Sequence, residues 1–326
     1  MALDLATNNG HAAMAYFGGV PWHRLGTSLK EPATADEAIT AAGLDYYVSL
    51  FTLTTIFGEP VERCKAVVRD DTRQVLGVVS NSYLPIQNHE CFGFLDDVVA
   101  DEGLRYHTAG ALGQGERVWL LAKLADYIRV AGSDDIAEQY LLLSNSHNGN
   151  SVLRVYFTPI RVVCANTLAM AGRTSKHGIA IRHSGNLSDK IAQAREVLGL
   201  AMHSYDNLDR RINHLASYYP TAAQLQTFFA RLYPDPDEGN RRWAENPRTR
   251  LLELFESGRG QDLPEVRHTA WAAVNAVTEY VDDHRPTRGR NPAERAERRL
   301  RSQWFGSGSR LKARAWNLAL EMTLGN

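Results

Sequence analysis

Two side chains that can hold nucleic acid, Arg154 and Tyr156, lie two positions apart in the strand-like segment Val152–Phe157. Because side chains alternate along a strand, we expect both on one face and the apolar residues of the segment on the other. A guanidinium beside an aromatic ring on an exposed strand can bind a phosphate and stack a base, a combination used in sequence-tolerant binding of single strands. The segment therefore predicts a nucleic-acid contact, with the alternative that Tyr156 is a core residue at the edge of a sheet.

Basic residues continue from this segment to residue 195 and meet a single acid, Asp189, so this stretch carries a formal charge of +6. The seven basic residues are Arg154, Arg161, Arg173, Lys176, Arg182, Lys190 and Arg195. We expect Arg161, Arg173, Lys176 and Arg182 to follow a phosphate backbone, and Lys190 is also predicted to bind nucleic acid. The small residues around Lys176, over 174–178, form either a basic loop whose hydroxyls and amides also bind phosphate or an ordinary surface loop.

A second basic region lies between Arg285 and Arg314, where ten basic residues meet two acids and give a formal charge of +8. Within it, Arg298, Arg299 and Arg301 precede Trp304 and are predicted to bind nucleic acid. Because the whole chain has a net charge of −1, the remaining residues carry −15. Such segregated charge is typical of proteins that bind phosphates. The alternative is that both regions are solvated faces balanced by acidic neighbours.

The sequence offers few signals for catalysis. It contains no Gly-x-x-x-x-Gly-Lys-Ser/Thr string, so no P-loop is predicted, and Gly110–Gly115 is interpreted as a hairpin turn. No two histidines share a predicted helix face with an acid, as zinc proteases require. Asp96 and Asp97 can supply carboxylates to magnesium in a nuclease, but acids at a helix end also lie in solvent. We therefore predict no catalytic residue, metal or cofactor, and keep a metal-dependent nuclease as a third hypothesis.

The composition is that of an ordinary globular protein, with 326 residues, 44% of them hydrophobic and 22% charged. This length accommodates one large domain or two smaller ones. No run of about eighteen apolar residues is present and the first residues lack the order of a secretion signal, so we expect a cytoplasmic protein without membrane contact. The three cysteines, Cys64, Cys91 and Cys164, have no paired spacing and predict neither a disulfide framework nor a zinc site.

The first half of the chain must supply the sheet that positions Arg154. Residues 1–45 are predicted to form an irregular leader and a short helix, whose start has the capping-box spacing Thr34–Glu37. Alternating and β-branched residues then predict a β-rich domain over residues 46–185. Its strands are Tyr47–Phe57, Cys64–Val68, Gln74–Val79, Leu104–Thr108, Glu116–Leu124, Gln139–Ser144 and Val152–Thr158. The first three predict an antiparallel meander, and a packed helix is predicted over Gln87–Val99.

Residues 186–326 are predicted to be helical. Apolar or small residues repeat with spacings of four and three from Leu187 to Leu215, over four heptads. This pattern indicates a helix that packs on the core of the protein, or alternatively a helical hairpin or a subunit contact. Further helices are predicted over Ala222–Leu232, Arg248–Glu256, Pro264–Asp283, Pro292–Gln303 and Ser309–Thr323.

Several short blocks together resemble the phage/plasmid-like protein family, which is also called domain of unknown function 932. These blocks are Pro21–Gly26, Val79–Tyr83, Gln87–Asn88, Thr158–Leu168 and Trp304–Gly306. The resemblance extends over essentially the whole chain and implies a protein of a mobile element, without an assigned activity. A more distant similarity is to phage single-strand annealing proteins, which use a β-meander followed by a helix and assemble into rings.

The sequence thus predicts an α+β protein, with an antiparallel β-meander-rich N-terminal half that carries a packed helix and a helical C-terminal half. The expected function is sequence-independent nucleic-acid binding, most specifically single-stranded DNA annealing or protection in phage or plasmid recombination. The expected partners are single-stranded DNA and further copies of the chain, in a ring or filament. The alternative function is a protein-interaction factor of a mobile element, either host-directed or anti-defence.

Overall fold

A computed structural model describes residues 7–8, 11–17, 27–29, 34–93, 96, 105–161, 166–167, 178–183, 205–236 and 242–324. Antiparallel sheets dominate its N-terminal half and helices its C-terminal half, so the predicted α+β class is confirmed. No helix among these residues has the length and apolar character needed to cross a membrane.

The predicted meander is present as a three-stranded antiparallel sheet. Its strands are β5 (Val48–Thr54), β6 (Pro60–Arg69) and β7 (Val75–Ser80), in that order. The preceding helix α1 (Ala35–Ala41) begins with the predicted capping box, because the Thr34 hydroxyl accepts from the Glu37 amide and the Glu37 carboxylate accepts from the Thr34 amide. Of the helix predicted over Gln87–Val99, residues 88–93 are helical, and most of the remainder lies outside the described residues.

The larger sheet holds Arg154 near one edge. Its strand order is β12-β11-β10-β9-β8-β3-β4, and β13 also pairs with β11. The strands are β3 (Met14–Phe17), β4 (Thr27–Leu29), β8 (Arg105–Leu112), β9 (Arg117–Arg129), β10 (Ile136–Ser146), β11 (Leu153–Arg161), β12 (Asn166–Thr167) and β13 (Gly178–Ile181). All pairings are antiparallel except that of β3 with β4. A separate pair joins β1 (Thr7–Asn8) to β2 (His11–Ala12).

The leader was predicted to be irregular, but its residues Met14–Phe17 form β3 inside the larger sheet. Three of these four residues are buried and the fourth is half-buried, so the strand has no polar face to produce an alternating pattern. A short run of apolar residues cannot be assigned to strand or helix by periodicity alone. The same limit applies to β13, a strand of four residues that the sequence analysis did not predict.

Six helices follow along the described part of the second half. They are α2 (Tyr205–Ser217), α3 (Ala222–Leu232), α4 (Arg242–Ser257), α5 (Ala270–Glu279), α6 (Pro292–Phe305) and α7 (Ser307–Leu324). A π-helical segment, Tyr280–His284, extends α5. The helix predicted from Pro264 starts later because the Thr269 hydroxyl accepts a hydrogen bond from the Ala272 amide and caps α5 at that point.

The predicted heptad repeat is described only in its last part, which lies in α2. There the repeat positions Leu208, Ile212 and Leu215 are buried among the other C-terminal helices. This burial agrees with a helix that packs on the core of the protein. The earlier repeat positions, from Leu187 to Ala201, lie outside the described residues.

The two faces of the larger sheet pack against different partners. On one face, Leu141, Leu143 and Val155 join the core formed with the meander and α1. On the other face, Trp119 and Leu142 pack with Leu300 of α6. The third hydrophobic core lies among the C-terminal helices. The sheet is therefore covered on both sides, and α6 meets it on the face that carries Trp119.

Candidate functional site

A cleft of about 1000 Å³ lies between the larger sheet and the last two helices, α6 and α7. Five arginines line it and define what we call the arginine cleft: Arg117, Arg154, Arg231, Arg310 and Arg314. Among the described residues that line the cleft there is one carboxylate, Glu321, which forms an ion pair of 2.8 Å with Arg231. The cleft therefore has a strong excess of positive charge and suits an anionic ligand.

The arginines of both walls of the cleft lie on strands or helices. Arg154 on β11 lies opposite Ser144 on β10, and Arg117 at the start of β9 lies opposite Ser146. Arg310 and Arg314 are four residues apart on α7, so they occupy one face of that helix. The arrangement brings Arg154 from the first basic stretch together with two arginines from the second.

A buried ion pair orients α7 so that these two arginines face the cleft. Lys312 lies between Arg310 and Arg314 in the sequence and therefore on the opposite side of the helix. Its Nζ is 2.9 Å from Oδ1 of Asp282 in the π-helical segment, and both side chains are buried. Burial lowers the pKa of Lys312, an effect that the Asp282 carboxylate opposes. The pair anchors the inner face of α7 to the helical core.

Aromatic side chains complete the lining. Trp304 and Phe305 end α6, and the guanidinium carbon of Arg117 lies 4.8 Å from the centre of the Phe305 ring, within the range of a cation–π contact. At the inner end, the rings of Tyr83 and His183 stack with their centres 4.8 Å apart and their planes 16° apart. Bases can stack on such rings while arginines bind the phosphates between them.

The predicted residues of the first basic stretch are only partly described. Arg154 lines the cleft, as the prediction of a binding surface requires. Arg182 is exposed just after β13 and is not part of the lining, although the next residue, His183, is. Tyr156 and Arg161 belong to β11, but their side chains are not among those that the structure describes. Arg173, Lys176 and Lys190 lie entirely outside the described residues.

The three arginines predicted on α6 are not among the residues that line the cleft. Each makes a contact within the protein instead. Arg298 pairs with Glu294 at 2.6 Å, Arg299 donates to the carbonyl oxygen of Asp283 at 2.5 Å, and Arg301 pairs with Glu116 at 3.3 Å. The second basic stretch thus reaches the cleft through Arg310 and Arg314 rather than through the predicted trio.

Several lining residues were not predicted. Arg310 and Arg314 carry a usable signal, because their spacing of four puts two positive charges on one face of a helix. Arg117 and Arg231 are isolated in the sequence and become neighbours of Arg154 only through tertiary packing. Tyr83 lies in a block used for the family resemblance, which gave no indication of its position in a cleft.

The features considered for catalysis have structural explanations. Gly113 and Gly115 form the turn between β8 and β9, with φ of 70° and 102°, as the prediction of a hairpin turn requires. Asp96 accepts hydrogen bonds from the Tyr106 hydroxyl and the Ala35 amide, while Asp97 lies outside the described residues. Within the described ranges, no group of three or more His, Cys, Asp or Glu side chains is arranged to hold a metal ion.

Comparison with known proteins identifies the family. A family model described as "Domain of unknown function (DUF932)" matches residues 75–304, which is more than two thirds of the chain. A comparison with curated proteins found no match, and a comparison with solved structures found none either. The matched region includes the larger sheet from β8 onward and ends at Trp304 in the cleft, and the chain thus belongs to the DUF932 family.

Proposed function

We propose that the protein binds single-stranded nucleic acid in the arginine cleft. The observation that carries this proposal is the convergence of Arg154, Arg310 and Arg314 on one aromatic-lined space. These arginines belong to two basic stretches that are far apart in the sequence. Arginine side chains are the preferred partners of phosphate, and their number in the cleft exceeds that of the carboxylates by four.

The proposed mechanism needs no covalent chemistry. Arginines neutralise consecutive phosphates and release the counterions that surround the strand, which supplies affinity without reading sequence. Aromatic rings hold bases by stacking, and every base has a face that can stack. Such a protein protects a strand, and self-association of several copies would align two strands for annealing. We extend the proposal to annealing in phage or plasmid recombination, with a homo-oligomer as the active form.

A protein-interaction role is the second candidate. It is favoured by the meander, which exposes Phe51 on β5 and Val78 on β7 on either side of Ala66 in one row across the sheet. Ile56 and Phe57 at the β5–β6 turn are also exposed. Exposed apolar groups in such an arrangement are typical of surfaces that bind other proteins.

Fluorescence anisotropy of labelled single-stranded and duplex oligonucleotides over a salt series tests the proposal. We expect tight binding of single strands whose affinity falls log-linearly with salt, with a slope of roughly −0.7 for each phosphate contact. The double variant Arg310→Ala/Arg314→Ala removes two phosphate contacts and should reduce the magnitude of this slope by about 1.4. Arg63→Ala/Arg267→Ala removes the same charge from two exposed positions outside the cleft and should leave the slope unchanged.

Absence of binding at low salt would overturn the proposal and favour the protein-interaction role. Adding magnesium to the same mixtures tests the nuclease hypothesis, because only a nuclease would shorten the oligonucleotide.

A further inference from the structure

The arginine cleft has a charged rim and an uncharged floor. Arg231, Arg310 and Arg314 are exposed at its rim. Tyr83, Ser144 and His183 also line the cleft but are only 7%, 5% and 6% exposed, and we call these three residues the floor. The floor presents hydroxyl and imidazole groups in place of guanidinium groups, and therefore suits a less charged part of a ligand than the rim does.

The floor is held rigidly. The Tyr83 hydroxyl donates to the carbonyl oxygen of Ser146 at 3.0 Å. The carbonyl oxygen of His183 accepts from the Leu84 amide at 2.8 Å, which ties the segment that carries His183 to the one that carries Tyr83. The two rings are stacked, so neither can turn without losing that contact. Polar groups fixed before the ligand arrives lower the cost of ordering on binding.

The imidazole of His183 has hydrogen-bonding capacity that the described part of the protein does not use. Neither Nδ1 nor Nε2 has a hydrogen-bond partner among the described residues, and both atoms are buried, so a ligand reaches them by displacing the ring within its stack on Tyr83. Burying such nitrogens without partners is unfavourable, so a ligand that supplies the partners gains binding energy there. Burial, opposed by a smaller effect of the Leu84 backbone, also lowers the pKa of His183 to about 4, so its ring is neutral at pH 7, with one donor and one acceptor.

We propose that the floor receives one nucleobase, whose edge forms hydrogen bonds with His183 and Ser144. A neutral imidazole and a hydroxyl both donate and accept, and a nucleobase edge likewise presents donors beside acceptors, whereas a phosphate presents acceptors only. The inference rests on the proposed function and deepens it. Binding is then insensitive to sequence along most of the strand but selective for the base at one position.

An abasic strand that carries a single base isolates this contact. Four oligonucleotides with the same number of phosphates, each bearing one A, C, G or T, are compared with a fully abasic strand by anisotropy competition. We expect at least one base to raise the affinity on the order of tenfold, the size of one good base-edge contact. His183→Phe preserves an aromatic ring on Tyr83 but has no nitrogen, and should abolish this gain, which is measured against the abasic strand with the same variant.

The outcomes separate the two proposals. If the abasic strand binds but no base raises the affinity, or if the gain survives in both His183→Phe and Ser144→Ala, the inference is wrong and the proposed function stands. If none of the strands binds, the proposed function is overturned and the inference falls with it. Thermal unfolding of both variants shows whether each is folded. If His183→Phe is not folded, Ser144→Ala, which removes a single buried hydroxyl, provides the test.

Discussion

The indole N–H of Trp271 donates to Oδ2 of Asp135 at 3.0 Å, and both residues are fully buried. Trp271 belongs to α5, the central helix of the C-terminal half, while Asp135 directly precedes β10 of the larger sheet. The bond joins residues that are 136 positions apart. It fixes the helical half to the sheet near the end of β9 and the start of β10. The position of the helical wall of the cleft relative to the sheet wall therefore depends on this bond.

Trp271→Phe should lower the free energy of unfolding by about 2–4 kcal/mol. The change removes a hydrogen bond to a buried carboxyl group and leaves a cavity in the helical core. Urea unfolding followed by circular dichroism measures the loss. Trp243→Phe is the matched control, because Trp243 is 63% exposed and its replacement should change stability by less than about 0.5 kcal/mol. Equal losses in the two variants would contradict the structural role of the bond.

Lys312→Met should destabilise the protein by about 3–5 kcal/mol, because it leaves the carboxylate of Asp282 buried without its ammonium partner. The double variant Lys312→Met/Asp282→Leu should be less destabilised than the sum of the two single variants, since it buries no unpaired charge. Urea unfolding of the three variants provides the comparison. Additive losses would show that the two side chains do not interact.

Stability should fall as the pH drops below about 6.5, in part because of His183. Burial holds its folded pKa at about 4, well below the value of about 6.5 expected in the unfolded chain. The unfolded state therefore binds the proton first, and the stabilisation by the neutral ring, complete above pH 6.5, is lost as the pH falls toward 4. Between pH 7 and pH 5 this group contributes a loss of about 2 kcal/mol.

The loss due to His183 is measured by urea unfolding of the wild-type protein and His183→Phe at pH 7, 6 and 5. The variant should lose less stability than the wild type over this range. His147, whose pKa burial lowers to about 3, remains in both proteins. His183 is a smaller cause of that shift, but the folded pKa of His147 lies so far below pH 5 that its contribution should differ little between the two curves. Identical pH dependence of the two proteins would show that His183 is not buried as a neutral ring.

Arg154→Ala should weaken single-strand binding and reduce its salt slope by roughly 0.7, whereas Arg298→Ala should leave both nearly unchanged. The reason is that Arg154 lines the cleft, while Arg298 is half-exposed on α6, outside the lining, and pairs with Glu294. Anisotropy titrations at three salt concentrations measure the difference. A larger effect of Arg298→Ala would place the binding surface on α6 instead.

Local signals in the sequence predicted most regular elements. The capping box at Thr34 predicted the start of α1. Ala222–Leu232 was predicted with the bounds that α3 has, and the structure shows another capping box there, between Thr221 and Gln224. The meander was predicted from alternating residues. Met14–Phe17 was missed because a strand buried on both faces has no alternation, and the segment pairs with a strand about ninety residues away.

The cleft was predictable only in part. Arg154 was identified because it stands in a strand beside a basic stretch, and the stretch that contains Arg310 and Arg314 was recognised by its charge. Charge alone could not separate Arg310 from Arg298, because the direction in which each side chain points depends on how α6 and α7 pack. The burial of Lys312 decides that direction for α7, and a buried lysine has no signature in the sequence.

The lining of the arginine cleft extends from Ser80 to Glu321, which has a consequence for protein synthesis. During synthesis the residues of the sheet wall leave the ribosome first. Those of α7, which form the other wall, leave only after nearly all of the described chain has emerged. Domains fold as units during translation, and a nascent chain with only the first wall has no enclosed cleft. A growing chain therefore cannot enclose a strand between two walls, and the nucleic-acid binding proposed for this site would report the completed fold.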